Sequence, residues 1–310
     1  MNNFILNILL LIGSIIFLWK GADYLIESAS LIAEKIGLSD LVIGLTVVAL
    51  GTSAPEFAVT INAALTEKPN ISVGNIVGSN IFNLGFILGA IALIKPITTS
   101  KKLVYRDGLF MIFVTLLLLL FFYDYQISSW EGFIFFSLLS IYLGYLFLKK
   151  ETLEEKLQSK TDFSRLNYLI LPLSLIAVVL GGHFLVQSAS FLAKTAGISD
   201  WIIGVTIVAA GTSAPEMVTS LTAVLKGKYG MSAGNLIGSD LFNILGVLGL
   251  AAILNPMSIT TEAYSSIIIL FGMVLLVIIF FRTNWKVSRI EGGILILIST
   301  LRWIFVYFNK

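Results

Sequence analysis

Residues 37–56 read GLSDLVIGLTVVALGTSAPE, and residues 197–216 read GISDWIIGVTIVAAGTSAPE. The two stretches align without a gap at an offset of 160 residues. A second pair, GNIVGSNIFN at 74–83 and GNLIGSDLFN at 234–243, aligns at the same offset. The chain therefore contains an internal duplication, and each copy carries one glutamate, Glu56 or Glu216, directly after a proline in an apolar stretch.

The composition is that of an integral membrane protein. Of the 310 residues, 57% are hydrophobic and 12% are charged, whereas a soluble domain carries about 25% charged residues. The net charge of +2 gives no indication of a nucleic-acid partner, and the absence of cysteine excludes disulfides and thiolate metal sites. The apolar run from Phe4 to Trp19 lacks a preceding basic segment and a following cleavage site, so we interpret it as a membrane helix and not as a signal peptide.

Apolar segments predict an all-α integral membrane fold with ten transmembrane helices. They lie near residues 4–31, 40–65, 71–94, 103–123, 129–148, 167–194, 200–225, 231–254, 262–281 and 288–308. The polar segment 149–166 separates a first five-helix repeat, 1–148, from a second, 167–310. Because five is an odd number, the second repeat enters the membrane from the opposite side, and the two repeats are predicted to be inverted, as in many secondary transporters.

The distribution of lysine and arginine predicts the orientation of these helices. One side of the membrane holds fifteen of them: Lys35, Lys95, Lys101, Lys102, Arg106, Lys149, Lys150, Lys156, Lys160, Arg165, Lys226, Lys228, Arg282, Lys286 and Arg289. The other side holds three: Lys68, Lys194 and Lys310. Since basic residues accumulate on the cytoplasmic side, we expect a cytoplasmic linker and two external termini in the plasma membrane.

The two glutamates are the main candidate functional residues. A carboxylate in the hydrocarbon core costs roughly 3 kcal/mol on insertion scales, and no symmetric pair of basic residues lies beside these two. The compensating charge is therefore predicted to be mobile, either a cation or a proton. Pro55 and Pro215 have no N–H, so each helix is expected to kink and to leave the carbonyl of Gly51 or Gly211 without its helical donor.

The neighbouring side chains offer only oxygen and amide groups. Thr52 and Ser53 share a helix face with Glu56, and Thr212 and Ser213 repeat this arrangement. The next helix of each repeat adds a polar stripe at every fourth residue: Asn75, Ser79 and Asn83, and Asn235, Ser239 and Asn243. Oxygen ligands suit hard cations such as Na⁺, Ca²⁺ or Mg²⁺, whereas for Asn75 and Asn235 we favour hydrogen bonds between helices.

The duplicated pair GTSAPE and GNxxGSN/D-x-FN resembles the α-repeats of the sodium/calcium exchanger family of the cation/calcium antiporter superfamily, prokaryotic type. The resemblance spans nearly the whole chain. It implies a secondary antiporter, not an enzyme, that works without a cofactor and functions as a monomer. It further implies exchange of Na⁺ for Ca²⁺ by alternating access, with about three Na⁺ per Ca²⁺.

The resemblance also implies a set of ion ligands. The Ca²⁺ ligands would be Glu56, Glu216 and the backbone carbonyls of Thr52 and Thr212. The Na⁺ ligands would be the carbonyls of Ala49 and Ala209 and the side chains of Ser53, Ser79, Ser213 and Ser239. Asn83 and Asn243 would line the centre of the site.

Some questions remain open at this point. Some archaeal relatives have an aspartate at the position of Asn243, so the stoichiometry and the proton sensitivity are not determined. Asp240 lies roughly 100° around the helix from Ser239, and we predict that it faces another helix. Lys20 could pair with Asp23 in the first helix. The alternative function is an antiporter of H⁺ for Ca²⁺, or for another divalent cation, on the same fold.

Overall fold

The computed structural model describes residues 2–149, 163–198, 207 and 209–308, and these form a helical protein. Its helices are α1 (Asn2–Ile36), α2 (Asp40–Thr52), α3 (Ala54–Leu65), α4 (Pro69–Ile94), α5 (Leu103–Phe121), α6 (Ser129–Leu148), α7 (Asn167–Thr195), α8 (Ala209–Thr212), α9 (Ala214–Leu225), α10 (Tyr229–Leu254), α11 (Thr261–Arg282) and α12 (Arg289–Phe308). The structure thus has the predicted all-helical character.

Seven helices in the described part of the chain are long and apolar enough to cross a membrane, and the bent pair α2–α3 makes an eighth if it is one span. These seven are α1, α4, α5, α6, α7, α10 and α11. The multi-pass membrane fold is confirmed, and the number of ten crossings stays a prediction. Residues 150–162 of the predicted linker and residues 200–206 and 208 of the predicted seventh helix lie outside the described residues, as does residue 199 before that helix.

Both GTSAPE motifs interrupt a helix at their serine. The axis bends by 51° between α2 and α3, where Ser53 has φ −77° and ψ 6°. Ser213, between α8 and α9, has φ −89° and ψ 10°. Pro55 and Pro215 follow in the first turn of α3 and α9, where the missing N–H of proline is tolerated. The prediction of a helix kink at these prolines is confirmed.

Helices α4 and α10 lie in the centre of the molecule, and each contains a π-helical turn. Most residues of both helices are buried, whereas most residues of α1 and α7 are half-buried or exposed. The π turn covers Asn83–Ile87 in α4 and Phe242–Leu248 in α10. Such a turn inserts one extra residue into the helix and often marks a functional site. Here each π turn includes an asparagine predicted to line the ion site.

Glycines allow close contacts at two helix crossings. A Cβ placed on Gly21 of α1 would lie 2.9 Å from Cγ2 of Val178 in α7. A Cβ on Gly238 of α10 would lie 2.7 Å from the Cα of Leu45 in α2. These backbones therefore approach as closely as small residues permit in a membrane helix pair.

Helix α7 lies against both interrupted helices. The side chain of Leu175 fills the space beside Gly51, where an added Cβ would meet its Cδ1 at 2.1 Å. Val186, three turns further along α7, occupies the equivalent space beside Gly211, with Cγ2 also at 2.1 Å. Glycine is therefore required at this position of both motifs for α7 to pack on them.

Four strands of two residues each connect the two halves of the chain. They are β1 (Ile97–Thr98), β2 (Gln126–Ile127), β3 (Met257–Ser258) and β4 (Lys286–Val287). β1 pairs antiparallel with β4, and β2 pairs antiparallel with β3. Because the membrane-length helix α5 separates β1 from β2, the two strand pairs lie at opposite ends of the molecule.

Candidate functional site

Two buried glutamates lie where the two interrupted helices meet. Glu56 is in the first turn of α3 and Glu216 is in the first turn of α9, and neither is exposed to solvent. Oε1 of Glu56 accepts hydrogen bonds from the hydroxyls of Ser79, at 3.0 Å, and Ser213, at 3.1 Å. Oε1 of Glu216 accepts one from Ser53 at 3.4 Å. Each carboxylate is thus held by a serine of the other half, and the helix dipole at its N-terminus favours the negative charge.

The threonines of the GTSAPE motifs lie in the same cluster. The hydroxyl of Thr212 forms a further hydrogen bond to the Glu56 carboxylate. The Thr52 hydroxyl lies 3.3 Å from the hydroxyl of Ser239 and donates to the carbonyl of Ala49 at 3.3 Å. Ser239 also donates to the Ala49 carbonyl, at 3.4 Å. Hydroxyl and carbonyl oxygens from both halves therefore surround the two carboxylates.

Four buried polar side chains form a second layer at the centre. Asn83 donates from Nδ2 to Oδ1 of Asp240 at 3.0 Å. Asn243 donates from Nδ2 to Oδ1 of Asn80 at 2.9 Å, and Asn80 donates to the backbone carbonyl of Asp240 at 3.1 Å. All four side chains are fully buried. Asp240 faces another helix, as predicted, but the residue it meets there is Asn83, one of the predicted site residues.

Within the described ranges of the chain, five buried acceptor oxygens of this cluster have no hydrogen-bond donor. They are Oε2 of Glu56, Oε2 of Glu216, Oδ1 of Asn83, Oδ1 of Asn243 and Oδ2 of Asp240. Buried polar atoms are normally paired, because leaving one without a partner costs about 1–3 kcal/mol. Five unpaired acceptors around two carboxylates make a strongly electronegative site, which a cation would stabilise.

Asn75 and Asn235 form hydrogen bonds between helices, as the sequence suggested. Nδ2 of Asn75 donates to the hydroxyl of Thr60 at 2.9 Å. Nδ2 of Asn235 donates to the hydroxyls of Thr219 and Ser220, at 3.0 and 2.9 Å. These bonds join α4 to α3 and α10 to α9, and Oδ1 of Asn235 also accepts a hydrogen bond from the Thr52 hydroxyl at 3.2 Å. That these asparagines do not bind an ion stays a prediction.

The structure brings most of the predicted site residues into one cluster. The side chains that meet there are Thr52, Thr212, Ser53, Ser213, Ser79, Ser239, Asn83, Asn243, Glu56 and Glu216, together with the carbonyl of Ala49. Ala209 is the first residue of α8, and the ligand role of its carbonyl stays a prediction. Sequence reasoning missed Asn80 and Asp240, although both directly follow a predicted site serine.

The chain is similar to known proteins over nearly its whole length. The model of the sodium/calcium exchanger protein family matches it twice, over residues 6–148 and 166–308. The chain is 34% identical to the sodium/calcium exchanger MaX1 of Methanosarcina acetivorans, over 94% of this chain and 95% of that protein. It is 33% identical to the inner membrane protein YrbG of Escherichia coli, over 96% of both chains.

The fold is also similar to that of a solved membrane exchanger. A structure of the sodium-calcium exchanger NCX_Mj, soaked with zero Na⁺ and Ca²⁺, matches with a TM-score of 0.85. The two sequences are 30% identical, and the match covers 96% of this chain and 97% of the other. The likeness therefore extends over both halves of the chain.

Proposed function

The chain belongs to the sodium/calcium exchanger protein family, and we therefore propose that it is a secondary antiporter that exchanges Na⁺ for Ca²⁺ across the membrane. The exchange proceeds by alternating access of one central site to the two sides, with about three Na⁺ moving per Ca²⁺. Both ions are transported substrates. The protein works as a monomer in the plasma membrane and performs no enzymatic reaction.

The observation that carries this proposal is the set of unpaired oxygens at the centre. Glu56 and Glu216 each contribute one, and so do Asn83 and Asn243, so the four are equally divided between the two halves. An electronegative site of carboxylate and amide oxygens suits a hard cation such as Ca²⁺ or Na⁺. The formal charge of the two glutamates balances one Ca²⁺ or two Na⁺.

We assign the ligands as the family resemblance implies. Glu56, Glu216 and the carbonyls of Thr52 and Thr212 hold Ca²⁺. The Na⁺ ions use the serine hydroxyls and the carbonyls of Ala49 and Ala209. The contacts of the hydroxyls with the carboxylates support this assignment, because a ligand of one ion then lies next to a ligand of another.

The architecture follows from the repeat. It consists of two inverted five-helix units, 1–148 and 167–310, joined by a cytoplasmic linker at 149–166, with both termini outside. The two separate matches of the family model support the two units. The strand pairs support the inversion, because residues 97 and 257 are equivalent at the offset of 160 and yet lie in strand pairs at opposite ends of α5.

Helices α1 and α7 form the gate. They pack on each other through glycine contacts, and α7 also packs on both interrupted helices. Most of their residues are half-buried or exposed, and both helices lie outside the central cluster. A sliding movement of this pair would expose the site to one side of the membrane and then to the other.

The test is ⁴⁵Ca²⁺ uptake into proteoliposomes loaded with Na⁺, compared with vesicles loaded with choline at the same pH. We expect uptake that requires internal Na⁺ and that is lost in both Glu56→Gln and Glu216→Gln. Glu131→Gln is the matched control, because Glu131 is an exposed capping residue of α6 that glutamine can replace. Uptake that is indifferent to Na⁺ but driven by a pH gradient would replace this proposal with H⁺/Ca²⁺ exchange.

The stoichiometry is tested in the same vesicles. Exchange of three Na⁺ for one Ca²⁺ moves one net positive charge per cycle. Uptake driven by outward Na⁺ should therefore accelerate when a K⁺ gradient with valinomycin makes the vesicle interior positive, and it should slow when the interior is negative. A rate that does not respond to the potential would indicate two Na⁺ per Ca²⁺.

A further inference from the structure

Asp240 and Asn80 occupy equivalent positions in the two repeats, and neither belongs to the ligand set assigned above. Each directly follows a site serine, at the offset of 160 residues, and each is fully buried. One is an aspartate and the other an asparagine, so the two repeats differ here by one carboxylate. Their contacts are with the two central asparagines.

The carboxylate of Asp240 determines which end of the Asn83 amide faces the site. The amino group of Asn83 donates to Oδ1 of Asp240 at 3.0 Å, and this carboxyl oxygen is the acceptor of the bond. The carbonyl oxygen of Asn83 then points away from Asp240, and it is one of the unpaired oxygens of the site. A reversed amide would place two acceptors against each other.

Asn80 orients the amide of Asn243 through two hydrogen bonds. Its amino group is committed to the backbone carbonyl of Asp240 at 3.1 Å, which leaves its carbonyl oxygen as an acceptor. The Asn243 amino group donates to that oxygen at 2.9 Å. The carbonyl oxygen of Asn243 is therefore also left unpaired. Four side chains thus form one network that ends in two free carbonyl oxygens.

Among the described residues, Asp240 does not form one acidic group with the two glutamates around a single ion position. In the described ranges of the chain, no three histidine, aspartate or glutamate side chains lie close enough together to hold one metal ion. The influence of Asp240 therefore passes through Asn83. An amide fixed in the ligand orientation binds a cation without first having to turn, which lowers the ordering cost of binding.

We propose that Asp240 and Asn80 are positioning residues that hold the amides of Asn83 and Asn243 with both carbonyl oxygens towards the transported cation. This inference rests on the proposed function, because it deepens the description of the same ion site. It assigns to Asp240 the role of a hydrogen-bond acceptor.

The test is Ca²⁺ binding to the purified full-length protein in detergent, measured by titration calorimetry without Na⁺. Asp240→Leu keeps the branched shape at Cγ but removes the acceptor, and we expect Ca²⁺ affinity to fall by about tenfold. Asp240→Asn keeps an acceptor oxygen, so its affinity should stay within about threefold of the wild-type value. In an Asn83→Ala background, Asp240→Leu should cause no further loss, because the two residues act as one unit.

Two further variants distinguish a specific loss of Ca²⁺ binding from a general loss of folding. Asp107→Asn is the matched control, because Asp107 is a fully buried aspartate held by Arg106 and Tyr142 outside the site. It should lower the thermal stability and leave Ca²⁺ affinity unchanged. Asn80→Leu releases Asn243 in the same way as Asp240→Leu releases Asn83, and it replaces Asp240→Leu if that variant does not fold.

The outcomes separate this inference from the proposed function. An unchanged affinity in Asp240→Leu, or an equal loss in Asp240→Asn, would overturn the positioning role; the second result would mean that the charge acts directly. Additive losses in the Asn83→Ala background would overturn it as well. A wild-type protein that binds neither Ca²⁺ nor Na⁺ would overturn the proposed function and this inference with it.

Discussion

Ser79 lies between the two halves of the site and should be sensitive to truncation. Its hydroxyl donates to Glu56 at 3.0 Å and lies 2.9 Å from the hydroxyl of Ser213. Ser79→Ala removes a proposed Na⁺ ligand and a donor to the carboxylate, and a hydrogen bond to a charged group contributes about 1.5–3 kcal/mol. We expect the internal Na⁺ concentration for half-maximal ⁴⁵Ca²⁺ uptake to rise by about tenfold or more.

The control for Ser79→Ala is Ser140→Ala. Ser140 is exposed on α6, and its hydroxyl bonds only to the Phe136 carbonyl one turn earlier. This variant should transport as the wild type does. Equal Na⁺ dependence in Ser79→Ala and in Ser140→Ala would contradict a ligand role for Ser79.

At this scale, the duplicated motifs made most of the site predictable. Glu56 and Glu216 stand out because a carboxylate in an apolar stretch needs a partner. Its presence at the same position of both repeats also argues against a chance occurrence. Asp240 was not predictable in the same way. An angle on an ideal helix places it away from Ser239, but only the crossing of α10 with α4 determines that its new neighbour is Asn83.

Among the elements, α10 and α2 cross with their backbones in close contact. A Cβ on Gly238 would lie 2.7 Å from the Cα and the carbonyl oxygen of Leu45. Gly238→Ala should therefore push α10 away from α2 and misplace Ser239 beside it. We expect a loss of about 1–3 kcal/mol in stability and slower exchange, measured by thermal unfolding in detergent and by ⁴⁵Ca²⁺ uptake.

Gly272→Ala is the matched comparison, because no atom lies within 4 Å of a Cβ added to Gly272 in α11. There alanine should be neutral or slightly stabilising, since it has the better helix propensity. If both variants unfold at the same temperature as the wild type, the close crossing at Gly238 does not contribute to stability.

The elements were predictable to different degrees. Proline without an N–H predicts the interruptions of both helices, and apolar length predicts the spans. The π turns in α4 and α10 were not predicted, since no residue type encodes them. The ion pairs between distant parts of the chain were not predicted either. Asp23 pairs with Lys226, which follows α9, at 2.7 Å, and not with Lys20 on its own helix.

At the scale of the whole molecule, the two strand pairs join the two halves, and in the proposed transport cycle both pairs remain intact. Thr98 is paired with Lys286 across β1 and β4, and the chain has no cysteine of its own. A disulfide in Thr98→Cys/Lys286→Cys should leave exchange intact, because in the proposed cycle both strands belong to the part that does not move. Cross-strand Cβ atoms about 4.5–5.5 Å apart are near enough for such a bond after a small adjustment.

A second crosslink should stop transport. Asp23 of α1 and Lys226 after α9 are joined by an ion pair, so Asp23→Cys/Lys226→Cys can be bridged by a bifunctional thiol reagent. The bridge ties the proposed gate to the site, and we expect ⁴⁵Ca²⁺ uptake to cease and to return when a cleavable reagent is reduced. Undiminished uptake in the bridged protein would refute the movement of α1 against α9.

The hydrogen bond from Ser213 to Glu56 also has a consequence for biosynthesis. The two residues are 157 positions apart in the chain. At about 5–20 residues per second, the ribosome delivers Ser213 roughly 10–30 s after Glu56. During that interval the first half has a carboxylate in an apolar helix without its later partners. In a nascent chain that ends near residue 148, α2 and α3 should therefore be less stably inserted in the membrane than in the finished protein.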